Sequence, residues 1–198
     1  RTAMQATPQR PMYFIIARRD TAVTTLTQLE GKTLSVPDAL GDQYAADQLL
    51  SAAKIDLASV KRKSVSDALQ GVDLLRKGEV DAALVPELLT WGSLSRDTRS
   101  LTSPVLSLVG ETVFVASRKF MAAQPDGLKR FMVAYEAGIR AILWDPEPYR
   151  PLLTKSGVSK ELIGKFTMPD YPLAQLPTES EIEEASSWLV KQGLLNAP

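Results

Sequence analysis

The chain has no cysteine and no histidine. The two absences exclude different things. Without cysteine there is no disulfide framework and no thiolate nucleophile. Without histidine there is no imidazole general base and no Ser-His-Asp triad. Without both, no zinc site can be built on thiolate or imidazole. Carboxylate or lysine chemistry stays open, but the balance tilts towards binding. An excess of one charge is also missing: 23 Lys and Arg face 23 Asp and Glu, for a formal net charge of zero. A nucleic-acid surface needs a basic excess to neutralise phosphates, so no nucleic-acid partner is expected. No apolar run approaches the ~20 residues of a membrane span. No signal peptide is visible, which leaves a cytoplasmic protein or one whose signal was removed before residue 1.

What is present is ordinary in bulk. A hydrophobic content of 44% and a charged content of 23% suit a globular chain. The length of 198 residues allows one large domain or two small lobes. The informative stretch is 29–87. Residues 33–36 form a β-rich run closed by Pro37. Gly41-Asp42 opens a helix, with Asp42 as the expected N-cap. Ala45, Ala46, Leu49, Leu50 and Ala53 recur at three- and four-residue spacing along it, giving one apolar face. Residues 61–65 read as a second strand. Ser66 is expected to cap a second helix, with Leu69, Val72 and Leu75 inward and Gly78 at its end. Residues 80–85 are an almost unbroken apolar run, the pattern of a strand in a sheet covered on both faces, and Pro86 stops it. The unit is strand, helix, strand, helix, strand, with all three strands parallel. Ligands of open α/β sheets collect at the carboxyl ends of such strands. Here those ends are 37–44, Ser66-Asp67 and 86–90.

Around this unit, residues 12–17 form an apolar strand and 112–116 another, and the two are expected in one sheet. A short helix over 24–30 carries Leu26 and Leu29 inward. Trp91 either lines the cleft or plugs the core. A long helix runs from Gln124-Pro125-Asp126 to about Trp144, with short helices over 146–155 and 159–166. Thr178 to Glu181 is a capping box that opens a terminal helix ending at Gly193. Residues 21–105 read as one α/β lobe. Residues 1–20 and 106–198 read as part of a second lobe whose remaining strands would precede residue 1.

The stretches LTQLEGKTLSVP (26–37), LRKGEVDAALVPELL (75–89), ETVFVASRKFMAAQPDGLKRFMVAYEAGIRAI (111–142) and PTESEIEEASSWLVKQGLL (177–195) give the chain a resemblance. It resembles the type II periplasmic binding proteins, and more closely the solute-binding proteins for sulfonates, nitrate, taurine and thiamine-pyrimidine precursors. That resemblance implies an α/β fold of two lobes, one complete and one partial here, joined by two crossings. It implies a small solute as ligand, an ABC permease as partner, a periplasmic location, and no cofactor, catalytic residue or metal. The ligand positions it implies are Asp38, Gly41, Asp42, Gln43, Tyr44, Ser66, Asp67, Glu87 and Leu88. The hinge positions are Arg18, Asp20, Ser103 and Leu106. The family's usual Gly-Ser or Gly-Thr before the first helix is Ala39-Leu40-Gly41-Asp42 here.

A helix N-terminus acts as about half a positive charge and stabilises an anion by ~0.3–1 kcal/mol, or up to ~2 kcal/mol when partly buried. Asp38, Asp42, Asp67 and Glu87 oppose that with full negative charges. Unless Arg18 or Arg19 answers them, a neutral, zwitterionic or amine-bearing solute is expected in place of a free sulfonate or nitrate. Asp42 and Asp67 also have a plain alternative role as helix caps facing solvent, and Tyr44 is the candidate for stacking on a ligand ring. Three other functions share these features. One is a ligand-sensing effector domain of a regulator. Another is an enzyme of the thiamine-pyrimidine type, which consumes a histidine of its own and so fits this chain poorly. The third is a fold relative with a degenerate cleft serving a partner protein.

Overall fold

The computed structural model describes residues 12–86, 97–102, 113–156, 163 and 176–196. They belong to two compact units: 12–102 and 146–163 fall in one, 113–145 and 176–196 in the other.

The first unit is built on a five-stranded sheet in the order β3-β2-β4-β1-β5. Its strands are β1 (Tyr13–Arg18), β2 (Thr33–Pro37), β3 (Lys61–Val65), β4 (Ala82–Pro86) and β5 (Thr98–Ser100). β2 pairs in parallel with both β3 and β4, as the sequence pattern requires. β1 pairs antiparallel with β4 on one side and β5 on the other. This corrects the expectation that residues 12–17 share a sheet with 112–116. Residues 113–117 have no strand conformation. A strand needs a ladder partner for its N–H and C=O groups, and none reaches these residues among those described.

Side chains alternate across the sheet with period two. Ile15, Ala17, Leu34, Val36, Ala82 and Leu84 face one side, with Ala46, Leu49 and Leu50 of α1 (Leu40–Ala52). Ile16, Ala83 and Val85 face the other, with Ala68, Val72 and Leu75 of α2 (Ala68–Lys77). Two buried faces explain why β1 and β4 are apolar throughout. Each Leu or Val so buried contributes roughly 1.5–3 kcal/mol. The 3-10 turn Leu26–Leu29 adds two buried leucines, as expected. Gly78 closes α2 at φ 77°, a left-handed position that costs an L side chain energy. Gly71 lets α2 settle on β2: a Cβ there would lie 2.8 Å from the Ser35 hydroxyl. β3 forms a sheet edge and carries Lys61, Arg62 and Lys63, charges that discourage edge-to-edge pairing.

The second unit is helical among its described residues. α3 (Arg118–Ala123) is capped by the Ser117 hydroxyl, which accepts from the Phe120 N–H at 3.1 Å. α4 (Pro125–Trp144) starts with Pro at its first turn, where no N–H is needed. α5 (Glu179–Lys191) opens with the expected capping box between Thr178 and Glu181. Phe114 meets Phe131 and Tyr135 edge-on, at 5.1 Å each. Ile139 is the buried apolar residue of this unit among the described residues, whereas Val115, Trp144 and Leu176 stand 88%, 92% and 89% exposed. The hydrophobic core therefore lies in the sheet unit. Of the expected helix over 159–166, only Ile163 is described, and it is helical.

Candidate functional site

The chain order of the parallel strands creates a switch point. From β2 the chain crosses through α1 to β3 on one side, then through α2 to β4 on the other. The two helices pack on opposite faces. Such a reversal opens a crevice at the carboxyl ends of the two diverging strands, here β2 and β4. The ends are level: Pro37 pairs with Val65, and Pro86 with Tyr13. Asp38, Gly41, Asp42, Gln43, Tyr44, Ser66 and Asp67 all follow directly from this edge, so the structure brings these expected positions together. Glu87, Leu88, Ser103, Leu106 and Trp91 lie outside the described residues.

Local chemistry separates them. Asp42 is not the N-cap of α1. That position is Ala39, which provides no side-chain cap. Ser66 is not the N-cap of α2 either; Asp67 is, accepting from the Gln70 N–H at 2.9 Å. Ser66 instead donates its N–H to Gln70 Oε1 at 2.7 Å, so the two residues hold each other's turn. Asp67 thus takes the plain role of a helix cap. Gln43 braces the β2–α1 connection by donating from Nε2 to the Pro37 carbonyl at 2.7 Å. Asp38 is exposed, donates its N–H to the Val65 carbonyl at 3.0 Å, and accepts from the Ser64 hydroxyl. Gly41 is exposed and Tyr44 half-buried.

Asp42 remains, and its partner was not among the expected residues. Its electrostatic neighbour is Tyr13, on β1. Burial pushes the Asp42 carboxyl up from the ordinary value, and the Tyr13 hydrogen bond works in the opposite sense. Burial, with the charge of Asp42 beside it, raises the Tyr13 phenol to about 12. Tyr13 is reached only through register. It opens β1 opposite Pro86, and with residues 12–17 assigned to another sheet nothing in the sequence places it beside α1.

Arg18 and Asp20 do not join this group. Five residues of strand separate Tyr13 from Arg18, roughly 16 Å. Arg18 Nε is paired with Asp20 at 3.0 Å, and Arg19 Nε donates to the Thr98 carbonyl at 2.9 Å, at the far end of the sheet. The expectation that Arg18 or Arg19 answers the acids is therefore corrected. Among the described residues no cluster of acidic, His or Cys side chains could hold a metal ion, and no helix is long and apolar enough to cross a membrane.

The model of the NMT1/THI5-like family matches residues 2–148, about three quarters of the sequence. The chain belongs to that family. No curated protein matches it. Among solved structures, this NMT1/THI5-like chain is similar to the periplasmic aliphatic sulphonate binding protein SsuA from Escherichia coli. The TM-score is 0.80 at 13% identity, over 94% of this chain and 66% of that one. It is also similar to the alkanesulfonate-binding protein SsuA from Xanthomonas axonopodis pv. citri bound to MOPS, with TM-score 0.72 at 19% identity over 99% and 69% of the two chains. A third likeness is to the putative sulfonate-binding SsuA of Methylobacillus flagellatus KT, with TM-score 0.72 at 14% identity over 99% and 62%. The expected fold class, the two-lobe α/β fold of type II periplasmic binding proteins, is thereby shown. The chain spans about two thirds of the length of these structures.

Proposed function

We propose that this protein binds a small organic solute at the carboxyl edge of β2 and β4 and delivers it to an ABC importer outside the cytoplasm. The observation that carries the reading is the switch-point crevice, with α1 opening onto it without a side-chain cap. The Asp42 N–H is taken by the Ala39 carbonyl at 3.0 Å, and the N–H groups of Leu40 and Gly41 are the ones offered to a ligand. The fold likeness to proteins named as sulfonate-binding supports a transport role. Capture by lobe closure is the mode this fold offers. The exposed apolar side chains of the helical unit, with the greater length of the similar structures, support reading that unit as part of a second lobe.

The edge favours a zwitterionic or amine-bearing solute over a simple anion. Asp38 and Asp42 stand at it, and the arginines once available to balance them lie at the other end of the sheet. Glu87 and Leu88, next along the chain from β4, are retained as proposed ligand residues, as are Asp38, Gly41, Asp42 and Tyr44. The passages to the second lobe are proposed near Arg18 and Asp20 and near Ser103 and Leu106.

The test is a thermal-shift panel of amino acids, polyamines, pyrimidines, sulfonates, nitrate and aromatic acids. A solute at 100 times its dissociation constant stabilises by ~2.7 kcal/mol, a rise of several degrees at roughly 2–4 °C per kcal/mol. A flat response across the panel contradicts solute binding and favours a regulatory or partner-binding role.

A further inference from the structure

The sheet unit covers its large apolar side chains well, and its two exceptions share one edge. Among described residues 12–102, the exposed large apolar side chains are Leu40 and Leu69, at 54% and 58%. A lone exposed leucine means little, because folded surfaces carry many apolar atoms. Here both leucines follow a parallel strand and stand in the first turn of a helix. Leu40 is the first residue of α1 and Leu69 the second of α2. Spacing alone predicts Leu69 inward, and its exposure corrects that expectation. Helical side chains lean towards the helix N-terminus, so in the first turn they reach past it. Both leucines therefore extend over the carboxyl edge, where β2 and β3 end level at Pro37 and Val65.

Their surroundings differ. Leu69 lies among Ser66, Asp67 and Gln70, whose polar groups bond to one another around the α2 cap. Leu40 lies between Ala39, which provides no side-chain cap, and exposed Gly41. Gly41 presents no side chain, and a Cβ there would meet nothing closer than the Tyr13 hydroxyl, at 3.9 Å. The Tyr13 ring packs against the core on the α1 face of the sheet, so that wall is fixed. Tyr44 is half-buried and stands one turn on from Leu40, on the same side of α1. Bare backbone beside an exposed leucine and a fixed aromatic ring is a seat for an apolar body.

We propose that the solute taken at this edge carries an apolar chain or ring, and that Leu40 is the specificity-determining residue that receives it beside Gly41 and Tyr13. The inference rests on the solute-binding reading above and deepens it by naming the body of the solute. Covering Leu40 removes apolar surface from water on both partners, and that gain grows with each methylene the solute brings. Asp38 and Asp42 flank Leu40 in the chain, so a charged head group and an apolar body are met by neighbouring residues. Leu69 is the natural control: it is as exposed as Leu40, but the polar groups around it are committed to the α2 cap.

The experiment measures dissociation constants calorimetrically along two homologous series: ethylamine, butylamine and hexylamine, and ethanesulfonate, butanesulfonate and hexanesulfonate. Wild type, Leu40→Ser, Leu40→Met and Leu69→Ser are compared, and the melting temperature of each variant reports on folding. The expected result is a wild-type affinity that rises about three- to fourfold for each added methylene in at least one series, the size of one buried methylene. Leu40→Ser cuts that rise to less than about twofold with little change in melting, Leu40→Met restores it, and Leu69→Ser leaves it as in wild type. The rise per methylene is a readout that a merely structural leucine would not move. An unchanged rise in Leu40→Ser overturns the inference, as does an equal loss in Leu69→Ser or a Leu40→Ser that melts far below wild type. A wild type that binds these solutes, or others of the wider panel, without favouring longer chains overturns it and leaves the solute-binding reading standing. A wild type that binds no solute, in these series or in the wider panel, overturns both.

Discussion

Tyr13, at the start of β1, and Asp42, in the first turn of α1, are electrostatic neighbours, and each shifts the titration of the other. One residue comes from the antiparallel strand and the other from the helix that follows β2, so the pair joins two elements at the edge where the parallel strands end.

This pairing sets two titrations. The Tyr13 phenol is expected at about 12, held up first by burial and then by Asp42. Asp42→Asn removes the smaller cause, so the phenol should move down but stay above its ordinary value. Tyrosine absorbance against pH, with Tyr13→Phe as the blank, measures it. Stability should fall as pH rises from about 10 to about 12, because there the folded state holds a proton that the unfolded state has released.

Asp42 behaves in the same sense at acid pH. Its carboxyl is raised by burial, and Tyr13 opposes that rise. Tyr13→Phe should therefore raise it further. Between the ordinary carboxylate value and the raised one, the folded state binds more protons than the unfolded state, so stability falls as pH rises through that window. Carboxyl-carbon NMR of Asp42 against pH checks both the direction and the effect of the variant.

Asp67→Ala should cost about 1 kcal/mol, the usual loss of an N-cap side chain. The partner of the cap is the Gln70 N–H. Because Ser66 bonds to Gln70 through its backbone N–H as well as its hydroxyl, Ser66→Ala should cost less. Urea unfolding of the two variants ranks them.

Gly41→Ala should leave the fold intact, since the added Cβ meets nothing closer than the Tyr13 hydroxyl at 3.9 Å. Its methyl group would stand in front of the pair, so solute affinity should drop while the melting temperature holds or rises. Equal loss of both would place Gly41 in the fold and not in the site.

Leu49→Ala should cost 2–5 kcal/mol, as expected for a fully buried leucine. Val133→Ala, at a side chain 64% exposed, should change stability by less than about 0.5 kcal/mol. Similar costs at the two sites would contradict the placing of the core in the sheet unit.

The parallel β2-β3-β4 unit was legible because its signals are local. Pro37 and Pro86 stop the strands, Gly78 closes α2, and the apolar runs match a doubly covered sheet. The capping box at Thr178 and the proline start of α4 were legible for the same reason. The site was legible only in outline. Asp42 and Ser66 read as caps because their residue types suit that role, but the backbone places the caps at Ala39 and Asp67. Tyr13 was hidden because register is non-local. An apolar strand shows that it is buried, not which neighbour it takes, so the composition of residues 12–17 points to 112–116 whereas pairing puts β1 beside β4. Antiparallel pairing with β4 likewise carries Arg18 to the far end of the sheet, which the sequence around it does not signal.

The central claim is that solute binds at the edge formed by the ends of β2 and β4. Backbone amide NMR tests it most directly, with the solute from the panel that stabilises the protein most titrated in. The account predicts saturable shifts at Asp38, Leu40, Gly41 and Asp42 and at the side-chain amide of Gln43, with none at Ala52 and Ala53 at the other end of α1. Shifts that avoid 38–43, or that cluster around Arg18 and Asp97 at the opposite end of the sheet, would contradict it.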